Sequence, residues 1–115
     1  MSEWDLSKAI GHKFEPYEVK VTNNDIILYN LGIGFQSDPM HKPDYNFTYE
    51  SADEFQSFPT MGVVVSHRGA LFGEPIPGMP AFNPMMLLHG EESLEIMKPI
   101  EPDSVVRMQE TIVDL

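Results

Sequence analysis

His89, Gly90 and Glu91 are the residues of this chain whose types and spacing could do chemistry. On an alternating segment His89 and Glu91 stand two apart and share one face, which is the arrangement of an acid/base pair. The same pattern describes a hydrogen-bonded strand histidine beside a solvated glutamate, and this is the simpler expectation. Gly90 between them lets a ligand reach the backbone, because no Cβ intervenes. Glu91 and Glu92 are expected as exposed charges able to orient His89. Ahead of this step runs a stiffened apolar stretch, Pro77-Gly78-Met79-Pro80-Ala81-Phe82-Asn83-Pro84-Met85-Met86-Leu87-Leu88. An apolar cluster of this kind fills a core or lines a pocket.

Other candidates carry less. Gly32-Ile33-Gly34 invites a phosphate-loop reading, but it follows a helical pattern, and Ser37 stands where a third glycine belongs. A helix C-terminus with close packing is expected there, with Tyr29 as core or pocket wall. Met61, Met79, Met85, Met86 and Met97 suit either an adaptable apolar lining or an ordinary core. His12, His41 and His67 lie among Gly, Lys and Arg without the converging ligands a metal requires. No metal and no cofactor are expected. Ser66-His67-Arg68 reads as a polar helix end or loop.

The bulk properties exclude several classes. A chain of 115 residues holds a single domain, 1–115. Its 18 acidic and 7 basic residues give a net charge of -11, which opposes nucleic-acid binding, since that affinity comes from Lys and Arg releasing counterions. No basic amphipathic helix offers itself to a membrane surface. The longest apolar runs, 61–65 and 85–88, fall far short of the ~20 residues that cross a bilayer. Zero cysteines exclude disulfides and thiolate chemistry and fit a reducing compartment. The first residues lack the charged and apolar regions of a secretory signal. The last four, Ile112-Val113-Asp114-Leu115, are not a Ser-Lys-Leu-type address.

The elements that must position these residues are short, because ten prolines divide the chain. The pattern predicts a short helix within 4–10 and an edge strand or extended segment over 14–21, where Pro16 excludes a central strand. Thr22-Asn23-Asn24-Asp25 starts a helix as an Asp version of the capping box. Ile26, Ile27, Leu28 and Leu31 continue it at helical spacing, and Gly32 and Gly34 stop it. Residues 35–44 form a loop, 46–50 a short strand, and 61–66 an apolar run too short to separate strand from helix. Residues 68–84 are loop. Residues 91–98 and 105–113 alternate around Pro102-Asp103 and read as a hairpin. A lone hairpin is marginal. Its remaining strands are therefore expected in a partner chain or in a continuation beyond Leu115.

From about Ala9 to Leu115 the chain resembles the N-terminal half of the type 2 enoyl-CoA hydratases, the MaoC-like unit of peroxisomal multifunctional enzyme type 2. The resemblance rests on Ala9-Ile10-Gly11, Tyr29-Asn30-Leu31-Gly32-Ile33-Gly34, Phe47-Thr48-Tyr49-Glu50, Phe58-Pro59-Thr60-Met61-Gly62-Val63 and Leu88-His89-Gly90-Glu91, in the family's order, followed by Lys98-Pro99.

It implies an α+β fold, an incomplete, degenerate hot-dog domain in which an antiparallel sheet wraps a helix. It implies a substrate-binding role in peroxisomal fatty-acid β-oxidation, with His89 and Gly90 contacting the acyl-CoA. In that family the C-terminal hot-dog copy carries an Asp-x-Asn-Pro-x-His-type motif that hydrates trans-2-enoyl-CoA to the (3R)-hydroxyacyl thioester. Here Asn83-Pro84 lacks both the preceding Asp and the following His. No catalytic residue and no independent hydratase activity are therefore expected. CoA phosphates call for Lys or Arg. Lys98 is the best local candidate, and much of that recognition is expected from a second hot-dog unit: the missing half, a partner chain or a second copy. The alternatives are a non-catalytic acyl-binding or dimerisation module, or a truncated gene product. Without the peroxisomal resemblance, a cytoplasmic location would be expected.

Overall fold

The computed structural model describes residues 4–66 and 75–115. These form two compact units: one holds 4–17, 75–93 and 107–115, the other 18–66 and 94–106.

The first unit opens with α1 (Leu6–Ala9), capped by Asp5, whose carboxylate accepts from the Ser7 amide at 3.2 Å and hydroxyl at 2.5 Å. A four-residue helix has too few internal bonds to hold itself. It is held from outside, by the Asp5 amide donating to the Gly78 carbonyl at 2.7 Å. Gly78 reaches that position at φ +79°, and a Cβ there would collide with the Asp5 carbonyl oxygen. Ala9, Phe14 and Ile76 form the buried cluster, with Met79 and Ile112 packed on it. Antiparallel pairing of Lys13 with Thr111 closes the unit, flanked by Phe14 N–H to Glu110 C=O at 3.0 Å and Gly11 N–H to Ile112 C=O at 2.7 Å.

Among the described residues the sheet is one antiparallel pair, β1 (Tyr17–Val21) with β2 (Ser104–Met108). On β1, Val19 and Val21 are buried while Glu18 and Lys20 face solvent, the alternation of a strand with one covered face.

The second unit is built on α2 (Asn23–Gly32). Its capping box is the one the sequence spelled: Asp25 N–H to Thr22 Oγ1 at 3.1 Å, and Thr22 N–H to an Asp25 carboxylate oxygen at 2.9 Å. Ile26 and Asn30, four apart, are its fully buried face. Residues 46–50 are not the expected strand. Lys42–Asp44 forms a 3-10 turn with Pro43 inside it and runs directly into α3 (Tyr45–Thr48). Thr48 Oγ1 bonds back to the Asp44 carbonyl at 3.1 Å and to Gln36 Oε1 at 2.6 Å, locking the helical turn. Phe47 stacks on Phe35 at 4.3 Å, with Phe58 edge-on to both. The undecided run is helical, α4 (Met61–Ser66), burying Met61 and Val65.

The expected hairpin is corrected as well. The Pro102-Asp103 turn is present, with Asp103 at φ +51°, and it leads straight into β2. Residues 91–98, however, form no strand, and β2 pairs with β1 instead. Leu94 and Ile96 lie 3.4 Å from where a Gly62 Cβ would stand, so their side chains pack on α4 rather than across a ladder from β2. Among the described residues no helix is long and apolar enough to cross a membrane. The expected loop at 68–84 and the Ser66-His67-Arg68 reading fall partly outside the described residues.

Candidate ligand-contact site

Asn83 starts the local structure that presents His89. Its side-chain oxygen accepts from the Met85 amide at 3.0 Å and caps a 3-10 turn, Pro84–Met86. Pro84 at the first turn costs no hydrogen bond, because that amide would be unsatisfied anyway. Two backbone bonds complete the turn, Met86 N–H to Asn83 C=O at 2.9 Å and Leu87 N–H to Pro84 C=O at 3.1 Å. Leu87 leaves the turn in an extended conformation, and the chain continues to His89 and Gly90 without regular secondary structure. Met85, Met86 and Leu88 are exposed, so this apolar stretch is not core.

His89 Nε2 lies 3.0 Å from Glu92 Oε2. Glu92, three positions on, is thus a partner of His89, and the shared strand face expected with Glu91 is not formed. Either state of the imidazole is served: a neutral ring donates Nε2–H to the carboxylate, and a protonated ring forms an ion pair. Both side chains remain partly open to solvent. Among the described residues, a Cβ built on Gly90 would meet nothing within 4 Å, so none of them crowds that stretch of backbone. The arrangement holds an imidazole in a defined direction beside an open backbone and an apolar run. That suits contact with a ligand having a polar head and an apolar tail.

A second feature lies in the other unit and was not foreseen. Leu31, Gln36, Pro39, Tyr45, Thr48 and Tyr49 line an open groove of about 440 Å³. Two of its polar side chains are already engaged, with Gln36 Nε2 donating to the Asp38 and His41 carbonyls, both at 3.0 Å, and Gln36 Oε1 accepting from Thr48. Tyr29, expected as core or pocket wall, is half-buried, with its hydroxyl 2.6 Å from Thr60 Oγ1. Lys98 is an exposed lysine 3.9 Å from Glu101. Of the candidate methionines, Met61 is core, Met79 flanks the core, and Met85, Met86 and Met97 are exposed. His12 packs edge-on against Phe14, His41 lies 3.9 Å from Asp44, and His67 is outside the described residues. Among the described residues no three His, Asp or Glu side chains gather as a metal site would need.

Comparison with known proteins decides the family. The profile of the MFE-2 hydratase 2 N-terminal domain matches residues 19–115. The chain belongs to that family. This hydratase 2 N-terminal domain is 36% identical over 113 residues to the probable enoyl-CoA hydratase 2 of Dictyostelium discoideum, covering 96% of the chain and 36% of the relative. It is 32% identical over 109 residues to the peroxisomal multifunctional enzyme type 2 of Mus musculus, covering 93% of the chain and 14% of that protein. A crystal structure of a MaoC-like dehydratase from Phytophthora capsici superposes with a TM-score of 0.67 at 29% identity, covering 91% of the chain and 36% of the other. The hydratase 2 N-terminal domain thus spans about a third of the first relative's length. Its helices and two-stranded antiparallel sheet are an incomplete α+β hot-dog, as the sequence led one to expect.

The residue the sequence reading missed is Asn30. It is fully buried on α2, and its Nδ2 donates to the carbonyls of Phe47 at 2.8 Å and Gln56 at 3.4 Å. The signal was there: it falls four residues after Ile26, on the face that must point inward.

Proposed function

We propose that this domain is the acyl-CoA-contacting part of a (3R)-specific enoyl-CoA hydratase, meeting the thioester region with His89 and Gly90. The observation that carries the reading is the His89–Glu92 contact of 3.0 Å, beside a Gly90 that none of the described residues crowds and a run of exposed apolar side chains. The enoyl-CoA hydratase names of the relatives supply the substrate class. Four relatives named as peroxisomal favour the same compartment for the enzyme that contains this domain. Residues 1–115 act as one hot-dog domain that needs a second hot-dog unit, in cis or in trans, to complete the enzyme.

The domain supplies binding and not proton transfer. Hydration of an enoyl thioester needs a base for water, an acid for the α-carbon and donors for the thioester oxygen. One half-exposed imidazole does not meet all three needs. Purified chain incubated with trans-2-enoyl-CoA is expected to leave the conjugated thioester unconsumed while being thermally stabilised by the acyl-CoA. His89→Ala is expected to weaken that stabilisation. Turnover by the isolated chain would defeat the division of labour, and an unmoved melting temperature would defeat the contact.

A further inference from the structure

Met85 and Met86 differ from the other methionines in being both exposed and set in the turn that leads to His89. Their relative exposures are 88% and 80%, against 4% for Met61 in α4. The Asn83-capped turn fixes the backbone at Met85 and holds this pair outward, three and four residues before His89. An accessible thioether reacts with hydroperoxides, and the sulfoxide formed is polar where the thioether was apolar. We propose that Met85 and Met86 are a peroxide-sensitive modification site whose sulfoxidation weakens the domain's hold on an acyl thioester.

The binding consequence rests on the ligand contact assigned above to His89 and Gly90. The step balances as a two-electron oxidation. A sulfur lone pair attacks one peroxide oxygen, the O–O bond breaks as the S–O bond forms, and the departing hydroxide takes the proton from the transferred oxygen and leaves as water. The product places a strong acceptor dipole on the surface that would line an acyl tail. Burying that dipole against a hydrocarbon costs free energy, because the tail offers no donor. Met40 and Met97 are also exposed, but both lie in the other compact unit and serve as internal controls.

The test exposes the chain to hydrogen peroxide, quenches it with catalase, and follows two quantities. Peptide mass mapping is expected to show oxygen added to Met85 and Met86 well before Met61. Calorimetry with decanoyl-CoA is expected to show a Kd about tenfold weaker after treatment, reversed by methionine sulfoxide reductase. The double variant M85L/M86L keeps an apolar surface with no sulfur to oxidise. Its ratio of treated to untreated Kd is expected to stay flat, whereas M40L behaves as the unsubstituted chain. Oxidation of Met85 and Met86 no faster than Met61 overturns the site. Equal loss of binding in the unsubstituted chain and the double variant overturns its consequence. No binding by untreated chain defeats the ligand-contact reading and the consequence with it, while the mapping still decides whether the site exists.

Discussion

Asn30 illustrates how one buried polar side chain can organise a unit. Its amide ties α2 to the carbonyls of Phe47 and Gln56, while its Oδ1 is buried with no hydrogen-bond partner among the described residues. Asn30→Leu removes two donors from partly buried hydrogen bonds and is expected to destabilise the chain by about 1–3 kcal/mol. Asn30→Asp is expected to be worse near neutral pH, because a carboxylate would face carbonyl oxygens. As pH falls, the introduced carboxyl gains a proton it can donate, and the gap between the two variants narrows. Urea titrations at neutral and acidic pH check both statements, and a gap that widens on acidification refutes the argument. Gly78→Ala belongs to the same scale. It combines a left-handed backbone with a collision against the Asp5 carbonyl oxygen, so a loss of about 2–4 kcal/mol is expected by the same titration. The inward face of Asn30 was legible from its spacing to Ile26, but the cost of changing either residue was not, since each depends on a partner far along the chain.

At the level of elements, local and long-range demands agree in some places and conflict in others. In α2 they agree. The Thr22/Asp25 box and the apolar spacing mark the same helix that the fold uses, so its limits could be read directly. Thr22→Ala is expected to cost about 1 kcal/mol, read from the denaturation midpoint, with the helix boundary otherwise kept. In α3 they conflict. Tyr45, Phe47 and Tyr49 alternate like a strand, yet Pro43 starts a helical turn. The short helix leaves the Phe47 carbonyl to Asn30. The alternation of 91–98 was equally misleading, because Leu94 and Ile96 are used against α4, and no local pattern records that choice. The site followed the same rule. The His89-Gly90 step stood out from residue types alone, but the partner changed from Glu91 to Glu92 because the segment is not a strand. The cap of α1 gives a pH prediction. Hydrogen bonding from Ser7 holds the Asp5 carboxyl below its ordinary value of 3.8, partly against desolvation and helped by Lys8. A depressed value means its stabilising contribution is complete above pH 3.8 and is lost as pH falls through the folded value. Hydrogen exchange at Ala9 is expected to speed up over that acidic range in the unsubstituted chain and to show no such step in Asp5→Asn.

Across the whole molecule, two properties oppose each other. Exposed apolar side chains at Met85, Met86, Leu88 and Met97 favour association, since removing them from water stabilises any contact that covers them. A net charge of -11 disfavours association between copies of the chain. The charge term is long-ranged and screened, with a Debye length falling from roughly 30 Å at 0.01 M salt to roughly 3 Å at 1 M. The apolar term is short-ranged and is not weakened by that screening. Self-association should therefore grow with ionic strength, opposite to the behaviour of a complex held by ion pairs. Sedimentation velocity across that salt range is expected to show monomer at the low end and a rising dimer fraction at the high end. A partner unit with a basic contact face would do the reverse, binding most tightly in dilute salt, so the sign of the dependence separates a second copy from a complementary half. A chain that stays monomeric at every salt concentration would show that its exposed apolar surface is too small or too scattered to support pairing with itself.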